Sequence, residues 1–301
     1  MWVRKKIQTV LWKIVLGLNV MQCFDRYVQV NGSQIRYWDE GQSDVPLILV
    51  HGFAACIEHW QYNIPVLSNH HRVIAVDLIG FGKSDKPEIN YTLHDFTLFL
   101  KAFLEALQIR TAVLIGHSIG GSISLAFALD YPEMVKKLVL IAPPAFTQKI
   151  PLAYRLLCVP YMDKILPLVR WPELCMLLFR RAAYRKERLS KALLQVMYEY
   201  NRSPESMVVL RHLMQTNSDW HGLREEVFFT IKNRLKTLTI PVLLIWGRRD
   251  SIIPVSSAEA GQQLIPQAEL CLFDDCGHLV QIEMADEFNA RVEQFLVSVE
   301  D

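Results

Sequence analysis

The sequence lacks the features that indicate a disulfide-stapled, metal-binding or nucleic-acid-binding protein. None of its six cysteines forms a C-x-x-C pair, which disfavours a disulfide framework and a zinc site and favours a reducing compartment. The 301 residues carry 32 basic and 31 acidic side chains, and a net charge of +1 gives no argument for nucleic-acid binding. Internal repeats and low-complexity segments are also missing. We therefore expect a globular protein with no nucleic-acid partner, no metal and no cofactor.

The first two dozen residues lack what a membrane span or a secretory signal needs. Only 11 uncharged residues separate Lys13 from Asp25, whereas a bilayer requires about 20, and no small-x-small cleavage site follows. Basic side chains stand opposite an apolar stripe at helical spacing, which predicts an amphipathic helix over residues 1–24. Residues 1–22 could make peripheral contact with an anionic membrane or pack on the protein itself. The expected location is the cytoplasm, with or without that contact.

Strand and helix patterns alternate along most of the remaining chain. Residues 27–30 and 34–39 alternate apolar and polar side chains across Asn31-Gly32, which predicts an antiparallel pair at the edge of a sheet. Leu47–Val50 and Val73–Val76 are continuous apolar runs, typical of strands that are covered on both faces. The alternation predicts an α/β fold with a mostly parallel central sheet and helices on both faces.

The alternation stops over residues 145–236, where helical patterns punctuated by proline dominate. We predict that residues 25–144 and 237–301 form the α/β core and that residues 145–236 form an inserted helical cap. The cap is dense in apolar side chains, so we expect an apolar roof above any site beneath it. Its basic run, residues 180–188, is either a solvated helix face or a second contact with an anionic membrane.

The most informative stretch is Gly-His-Ser-Ile-Gly at residues 116–120. An apolar run, residues 112–115, precedes it, and a helical pattern follows it. This arrangement predicts a sharp strand-to-helix turn that needs small residues two positions either side of Ser118. The turn would raise the Ser118 hydroxyl above the sheet edge at a helix N-terminus, where negative charge is favoured. Ser118 is therefore the candidate nucleophile.

Ligands of such sheets bind beyond the carboxyl ends of the strands, and chemically capable residues follow three further strands. Asp250 follows the run 242–246, and His278 follows the run 269–273. The chain order Ser118, Asp250, His278 is one known order of a serine–acid–histidine triad, in which histidine is the general base and the acid orients it. Asp274 and Asp275 are alternatives to Asp250, although they lie close to the histidine in the chain.

Two backbone N–H groups are the candidate oxyanion hole. The N–H of Phe53 follows the strand Leu47–Val50, and the N–H of Ile119 directly follows the candidate nucleophile. Donors in these two positions would stabilise the negative charge of a tetrahedral intermediate. The remaining histidines show no pairing at metal-ligand spacing, so we expect no metal site.

Taken together, these motifs resemble those of a serine-nucleophile member of the α/β-hydrolase-fold family that carries a helical cap. The resemblance spans residues 25–296 and rests on five motifs in the family's order: H-G-F at 51–53, D-L-I-G-F-G-K-S-D at 77–85, G-H-S-I-G-G at 116–121, W-G-R-R-D at 246–250 and C-G-H-L-V-Q-I-E at 276–283. It implies the fold, the roles of the triad and a cap over the site.

The resemblance is to esterases and lipases, so we expect a hydrolase that cleaves a lipophilic carboxylic ester through an acyl-enzyme. A carbon–carbon bond hydrolase of the ring-cleavage-product type is one alternative, because residues 276–278 and 285–289 resemble that group. Its usual N-S-M at the elbow is H-S-I in this chain. A catalytically silent, ligand-binding member is the other alternative. The expected partner is a small apolar ester.

Overall fold

The computed structural model describes residues 23–159 and 171–297. The membrane contact predicted for residues 1–22 therefore lies outside the described residues, and Cys23 and Phe24, the last two residues of the predicted N-terminal helix, are not helical. Within the described ranges, no helix is long and apolar enough to cross a membrane.

The strands form one eight-stranded sheet and one short hairpin. In chain order they are β1 (Arg26–Val30), β2 (Ser33–Glu40), β3 (Leu47–Val50), β4 (Val73–Val76), β5 (Ala112–His117), β6 (Val135–Ile141), β7 (Ser218–Asp219), β8 (Gly222–Leu223), β9 (Val242–Gly247) and β10 (Ala268–Phe273). The order in the main sheet is β1-β2-β4-β3-β5-β6-β9-β10. The pairs β1–β2 and β2–β4 are antiparallel, and all other pairs of this sheet are parallel. The predicted α/β class, the mostly parallel sheet and the hairpin at its edge are confirmed.

The helices flank both faces of the sheet and fill the predicted insertion. They are α1 (Ile64–Leu67), α2 (Leu93–Ala106), α3 (Ile119–Asp130), α4 (Leu152–Arg155), α5 (Trp171–Ala182), α6 (Lys191–Asn201), α7 (Pro204–Asn217), α8 (Glu225–Lys232), α9 (Ser256–Leu264), α10 (Val280–Glu283) and α11 (Ala285–Val297). Short 3-10 turns connect several of them. Helix α2 begins with a capping box, in which Thr92 and Asp95 each accept a hydrogen bond from the other's backbone N–H.

The continuous apolar runs are buried because each face of a strand meets a different helix layer. In β3, Ile48 and Val50 join the core on the side of α2, α3 and α9, whereas Leu47 and Leu49 join the core on the side of α1 and α11. This alternation follows from the period of two residues in a strand. Because β3, β5, β9 and β10 run in the same direction, their carboxyl ends lie at one edge of the sheet.

One helix is broken where the sequence pattern suggests continuity. The apolar spacing predicts a helix over residues 59–67, but a 3-10 turn covers Ile57–Trp60 and α1 starts only at Ile64. Pro65 has no N–H to donate to the carbonyl four residues earlier, so a continuous helix cannot pass through it.

Among the described residues of the insertion, the only strands are those of the hairpin of β7 and β8, which at two residues each are too short to leave a period in the sequence. The cap boundaries at residues 145 and 236 stay a prediction.

Candidate active site

Ser118 sits at a strained turn between β5 and α3. Its backbone has φ +54° and ψ −121°, a conformation that costs a non-glycine residue roughly 1–3 kcal/mol and persists only where neighbouring contacts enforce it. Its N–H donates to the Ile141 carbonyl at 2.8 Å, and its carbonyl accepts from the N–H of Gly121 at 2.9 Å. These bonds fix the turn between the sheet and the first turn of the helix.

The two glycines that flank the serine are required by the packing of the turn. A β-carbon on Gly116 would lie 2.4 Å from the Gly120 carbonyl oxygen, and one on Gly120 would lie 2.3 Å from the His51 carbonyl oxygen. Both distances are to backbone atoms, which cannot move aside as a flexible side chain could. The crossing of strand, turn and helix is therefore possible only with glycine at these positions.

His278 and Asp250 form a buried pair. The Nδ1 atom of His278 lies 2.7 Å from Oδ2 of Asp250, and the other carboxylate oxygen of Asp250 accepts from the N–H groups of Ile252 and Ile253 at 2.8 and 2.9 Å. The carboxylate is fully buried. It can therefore hold the imidazole with a proton on Nδ1 and with Nε2 free to accept one.

The alternative acids do not reach the histidine ring. Asp274 pairs with Nε of Arg248 at 2.7 Å, and its side chain is 83% exposed. Asp275 is exposed, and its backbone carbonyl accepts from Arg185. Of the three candidate acids, only Asp250 contacts His278.

Ser118 and His278 line the same pocket. Among the described residues, no hydrogen bond joins the Ser118 hydroxyl to the imidazole. Such bonds are often long in ligand-free sites and shorten when substrate binds. The contact between the Ser118 hydroxyl and Nε2 of His278 therefore stays a prediction.

The two predicted oxyanion donors lie in the wall of this pocket. Phe53 and Ile119 both line it, and the hydrogen bonds of the described residues include none from either backbone N–H. Ile119 is the first residue of the 12-residue helix α3, where the positive end of the helix dipole favours a nearby anion. The residues that carry both predicted donors thus line the same pocket as Ser118, and their role as an oxyanion hole stays a prediction.

Two buried histidines support the site without an exposed proton-transfer atom. His51 accepts from the Leu78 N–H at Nε2 (3.1 Å) and donates from Nδ1 to the Gly52 carbonyl (2.9 Å), and burial lowers its pKa. Nε2 of His117 donates to the backbone carbonyl of His278 at 3.0 Å. Burial holds the pKa of His117 well below its ordinary value. Both rings are therefore neutral at physiological pH.

His59 was not predicted to belong to the site. It is buried in the pocket wall with its ring 4.9 Å from the ring of Phe179 in the cap, and desolvation lowers its pKa to about 3. The imidazole is therefore neutral at physiological pH. No motif indicated this position, because its neighbours come from a distant part of the chain.

Glu283 is a second residue that the sequence did not single out. Its Oε2 atom accepts from the N–H groups of Tyr184, Arg185 and Gly277 at 2.8–3.0 Å, and its Oε1 atom accepts from the Leu279 N–H at 3.0 Å. The residue is fully buried. One carboxylate thus joins the backbone on both sides of His278 to the segment that follows helix α5.

The pocket is apolar and is roofed by the insertion. It encloses about 140 Å³, and the described residues that line it include no Lys, Arg, Asp or Glu. Cap side chains from α5, α6 and α7 face core side chains from α3 and the loop after β9, for example Leu178, Phe179, Met197, Leu213, Ile123 and Ile252. Such a pocket favours an uncharged apolar ligand.

The described residues contain no cluster of three or more His, Cys, Asp or Glu side chains that could hold a metal ion. All six cysteines are free thiols.

This chain matches a family model, and it also matches individual proteins of known sequence or structure. A family model described as the alpha/beta hydrolase fold matches residues 45–285. The dihydrolipoyllysine-residue acetyltransferase component of the acetoin cleaving system of Pseudomonas putida is 31% identical over 269 residues, which cover 89% of this chain and 68% of that protein.

Two further relatives carry hydrolase names. A 2-hydroxy-6-oxo-2,4-heptadienoate hydrolase of Pseudomonas putida is 28% identical over 93% of this chain and 99% of that protein. The crystal structure of a carboxylesterase of Bacillus subtilis superposes with a TM-score of 0.71 at 25% identity, over 92% of both chains. The proteins that this chain resembles thus include a carboxylesterase and a 2-hydroxy-6-oxo-2,4-heptadienoate hydrolase.

Proposed function

The chain belongs to the α/β-hydrolase-fold family, and on that premise we propose that it is a serine hydrolase that cleaves a neutral, lipophilic carboxylic ester through an acyl-enzyme. One observation carries the proposal: Ser118, on a strained turn at a helix N-terminus, shares an apolar pocket with a His278 ring that is paired to a buried Asp250.

In the proposed mechanism, Nε2 of His278 takes the Ser118 proton as the hydroxyl oxygen attacks the ester carbonyl. The N–H groups of Phe53 and Ile119 stabilise the oxyanion that forms. The imidazolium, oriented by Asp250, then returns the proton to the leaving alcohol, and the acyl group stays on Ser118. Water repeats the sequence on the acyl-enzyme, releases the carboxylic acid and regenerates the hydroxyl.

The charge of the pocket supports a neutral substrate. A carboxylate taken from water into an apolar wall loses its solvation, and this cost is compensated only by a paired cation or by several hydrogen-bond donors. The described lining offers no Lys or Arg. An ester with apolar acyl and alcohol parts meets no such penalty, and its burial is favourable by roughly 25 cal/mol per Å² of apolar surface.

A second candidate is the cleavage of a carbon–carbon bond in a ring-cleavage product, which the heptadienoate hydrolase relative favours. Such a substrate carries a carboxylate, which is the group that this lining leaves without a counter-charge. We therefore rank it below ester hydrolysis.

An ester panel tests the proposal. We expect p-nitrophenyl esters of increasing acyl length to be turned over faster than a dienoic acid, with a burst of p-nitrophenol equal to the enzyme concentration when deacylation is slow.

Ser118→Ala should lower kcat by about 10⁴-fold or more, whereas Ser43→Ala, a change at an exposed serine, should leave it unchanged. An esterase rate retained in Ser118→Ala would overturn the proposal, and preferential turnover of the dienoic acid would establish the second candidate.

A further inference from the structure

The loop that carries one oxyanion donor is strained. Residues 51–57 connect β3 to the following 3-10 turn, and Ala54, next to Phe53, has φ +55°. The left-handed region costs an alanine roughly 1–2 kcal/mol relative to its ordinary conformations. Some contact must therefore hold this residue in place, because rotation about its backbone would reorient the peptide groups beside the Phe53 N–H.

A turn within the loop supplies one contact, because the Ala55 N–H donates to the Gly52 carbonyl at 3.3 Å across Phe53 and Ala54. The contact on the Ala54 carbonyl comes from the cap. Asn201, the last residue of α6, donates from Nδ2 to the Ala54 carbonyl at 2.9 Å and to the Met197 carbonyl, one turn earlier in its own helix, at 2.8 Å. Asn201 is 6% exposed. Its side-chain amide therefore bridges the end of a cap helix to the strained carbonyl, in a position where water cannot readily replace it.

The same end of α6 contacts the residues that follow the loop. The Tyr200 hydroxyl donates to Oε1 of Glu58 at 3.2 Å, and Sδ of Met197 lies 3.3 Å from Nε2 of His59. On the core side, the Ile57 N–H donates to Oδ1 of Asp77 at 2.8 Å. The far end of the loop is thus held by the core, whereas Ala54 is held by the cap.

We propose that Asn201 is a positioning residue that holds the Phe53 N–H in its oxyanion-binding orientation through the Ala54 carbonyl. The inference rests on the proposed function, since it assigns a role within that mechanism. On this proposal, two parts of the chain form the oxyanion hole. The core supplies the Phe53 N–H, and cap helix α6 fixes the direction in which that N–H points. Asn201 touches no reacting atom.

The test separates transition-state binding from ground-state binding. Removal of one oxyanion donor lowers kcat by about 10²–10³-fold, and a misaligned donor should cost less. We expect Asn201→Ala to lower kcat about 10–100-fold with KM within about threefold. Affinity for a trifluoromethyl ketone, which forms a tetrahedral oxyanion on the serine, should fall by the same factor as kcat. Affinity for the product alcohol should not change.

A second substitution, Ala54→Gly, tests whether Asn201 acts on kcat through the strained backbone of residue 54. Glycine adopts positive φ at no steric cost. In an Ala54→Gly background, residue 54 therefore has no strain to relieve by leaving positive φ, even without the bond from Asn201. In that background, Asn201→Ala should lower kcat only a few-fold. Should Asn201→Ala fail to fold, the same comparison is made with Asn201→Ser, whose shorter side chain can still donate to the Met197 carbonyl of its own helix but not to both carbonyls at once.

Asn217, the last residue of α7, is the control, because its amide also joins the cap to the core. Its Nδ2 atom donates to the Leu213 carbonyl in its own helix and to the Tyr91 carbonyl in the core, both at 2.8 Å, and its Oδ1 atom accepts from the Leu93 N–H at 3.1 Å. Asn217→Ala removes these bonds away from the oxyanion loop. Asn217 also lines the pocket, so the control is read in the ratio of ketone to alcohol affinity and not in either affinity alone. We expect Asn217→Ala to lower thermal stability comparably while the ratio of ketone to alcohol affinity is retained.

Three results would overturn the inference: an unchanged kcat in the folded Asn201 variant, a loss confined to KM, or an equal loss in the Ala54→Gly background. Each of these can occur while Ser118→Ala still abolishes turnover, so failure of the inference is distinguishable from failure of the proposed function.

Discussion

At the scale of single residues, the turn at Ser118 depends on two positions that have no room for a β-carbon. Gly116 and Gly120 exclude any β-carbon by contact with backbone oxygens. The sequence predicted this requirement, because the geometry of a strand-to-helix turn is local. His59 and Asn201 could not be predicted in the same way, since their partners lie far away in the chain.

The first prediction concerns the tight turn. Gly120→Ala places a β-carbon 2.3–2.4 Å from the carbonyl oxygens of His51 and Val50, so strand and helix must separate. We expect a loss of about 3 kcal/mol or more in the free energy of unfolding, at the upper end of overpacking effects. Gly32→Ala is the control: its β-carbon meets nothing within 4 Å, but φ is +86°, so it should lose only about 1 kcal/mol. Equal losses in urea unfolding would contradict the steric argument.

The second prediction concerns pH. Burial lowers the pKa of His51, His59 and His117, so the folded state cannot take up protons that the unfolded state binds below about pH 6.5. The contribution of each histidine to stability is complete above that pH and is lost as the pH falls. For His59 the loss continues down to about pH 3, at up to about 1.4 kcal/mol per pH unit.

Urea unfolding at pH 7.5, 6.0 and 5.0 measures this dependence. His59→Gln removes one titrating group, so its stability should fall less steeply with acid than that of the wild type, whatever the variant loses at neutral pH. His70→Gln, a change at an exposed histidine, should keep the wild-type slope. A His59→Gln slope equal to that of the wild type would contradict the burial argument.

At the scale of elements, strands and helices with a clear period were predictable and breaks in them were less so. The hairpin at residues 26–40, strand β3 and the start of α2 at Thr92 follow from alternation, an apolar run and a cap residue. The break before α1 is explained by Pro65. The apolar spacing alone predicted a helix through this position, because it takes no account of the missing N–H of proline. Hairpin β7–β8 has no period to detect.

The third prediction concerns the loop that holds His278. Glu283 accepts hydrogen bonds from four backbone N–H groups, two in that loop and two in the segment that follows α5. Glu283→Gln replaces one carboxylate oxygen with an N–H₂ group, which repels the donors it faces, so buried N–H groups lose their acceptor. At roughly 1–3 kcal/mol for an unsatisfied buried group, we expect a loss of about 2–4 kcal/mol in the free energy of unfolding and a lower kcat.

Glu287→Gln is the control for that change, because Glu287 is exposed on helix α11. It should stay within about 0.5 kcal/mol of the wild type in urea unfolding. If the two variants had equal stability and equal kcat, the role assigned to Glu283 would be wrong.

At the scale of the whole molecule, the architecture combines a sheet whose carboxyl edge carries the candidate triad with an inserted helical region whose described side chains line the pocket. The sequence predicted the sheet, the chain order of the candidate triad and an apolar roof, because each depends on local pattern or on the rule that sites lie at the carboxyl edge of parallel strands. It could not predict which cap residues meet the oxyanion loop. That contact depends on how helices far apart in the chain dock on the core.

The fourth prediction follows from the uncharged lining of the pocket. For esters matched in size, a neutral acyl chain should be preferred over one that ends in a carboxylate by a factor of 10² or more in kcat/KM, since burial of an unpaired charge costs several kcal/mol. Leu178→Arg, which places a cation in the lining, should reduce that ratio. Leu178→Met is the control for size. Equal kcat/KM for the neutral and charged esters would contradict the assignment of a neutral substrate.

The central claim, that Ser118 is activated by His278 in this pocket, is tested most directly by mass spectrometry after reaction with a fluorophosphonate. The account predicts one adduct per chain, mapped to the peptide that contains Ser118, absent in Ser118→Ala and formed far more slowly in His278→Gln. An adduct on another residue, or equal labelling in Ser118→Ala, would contradict it.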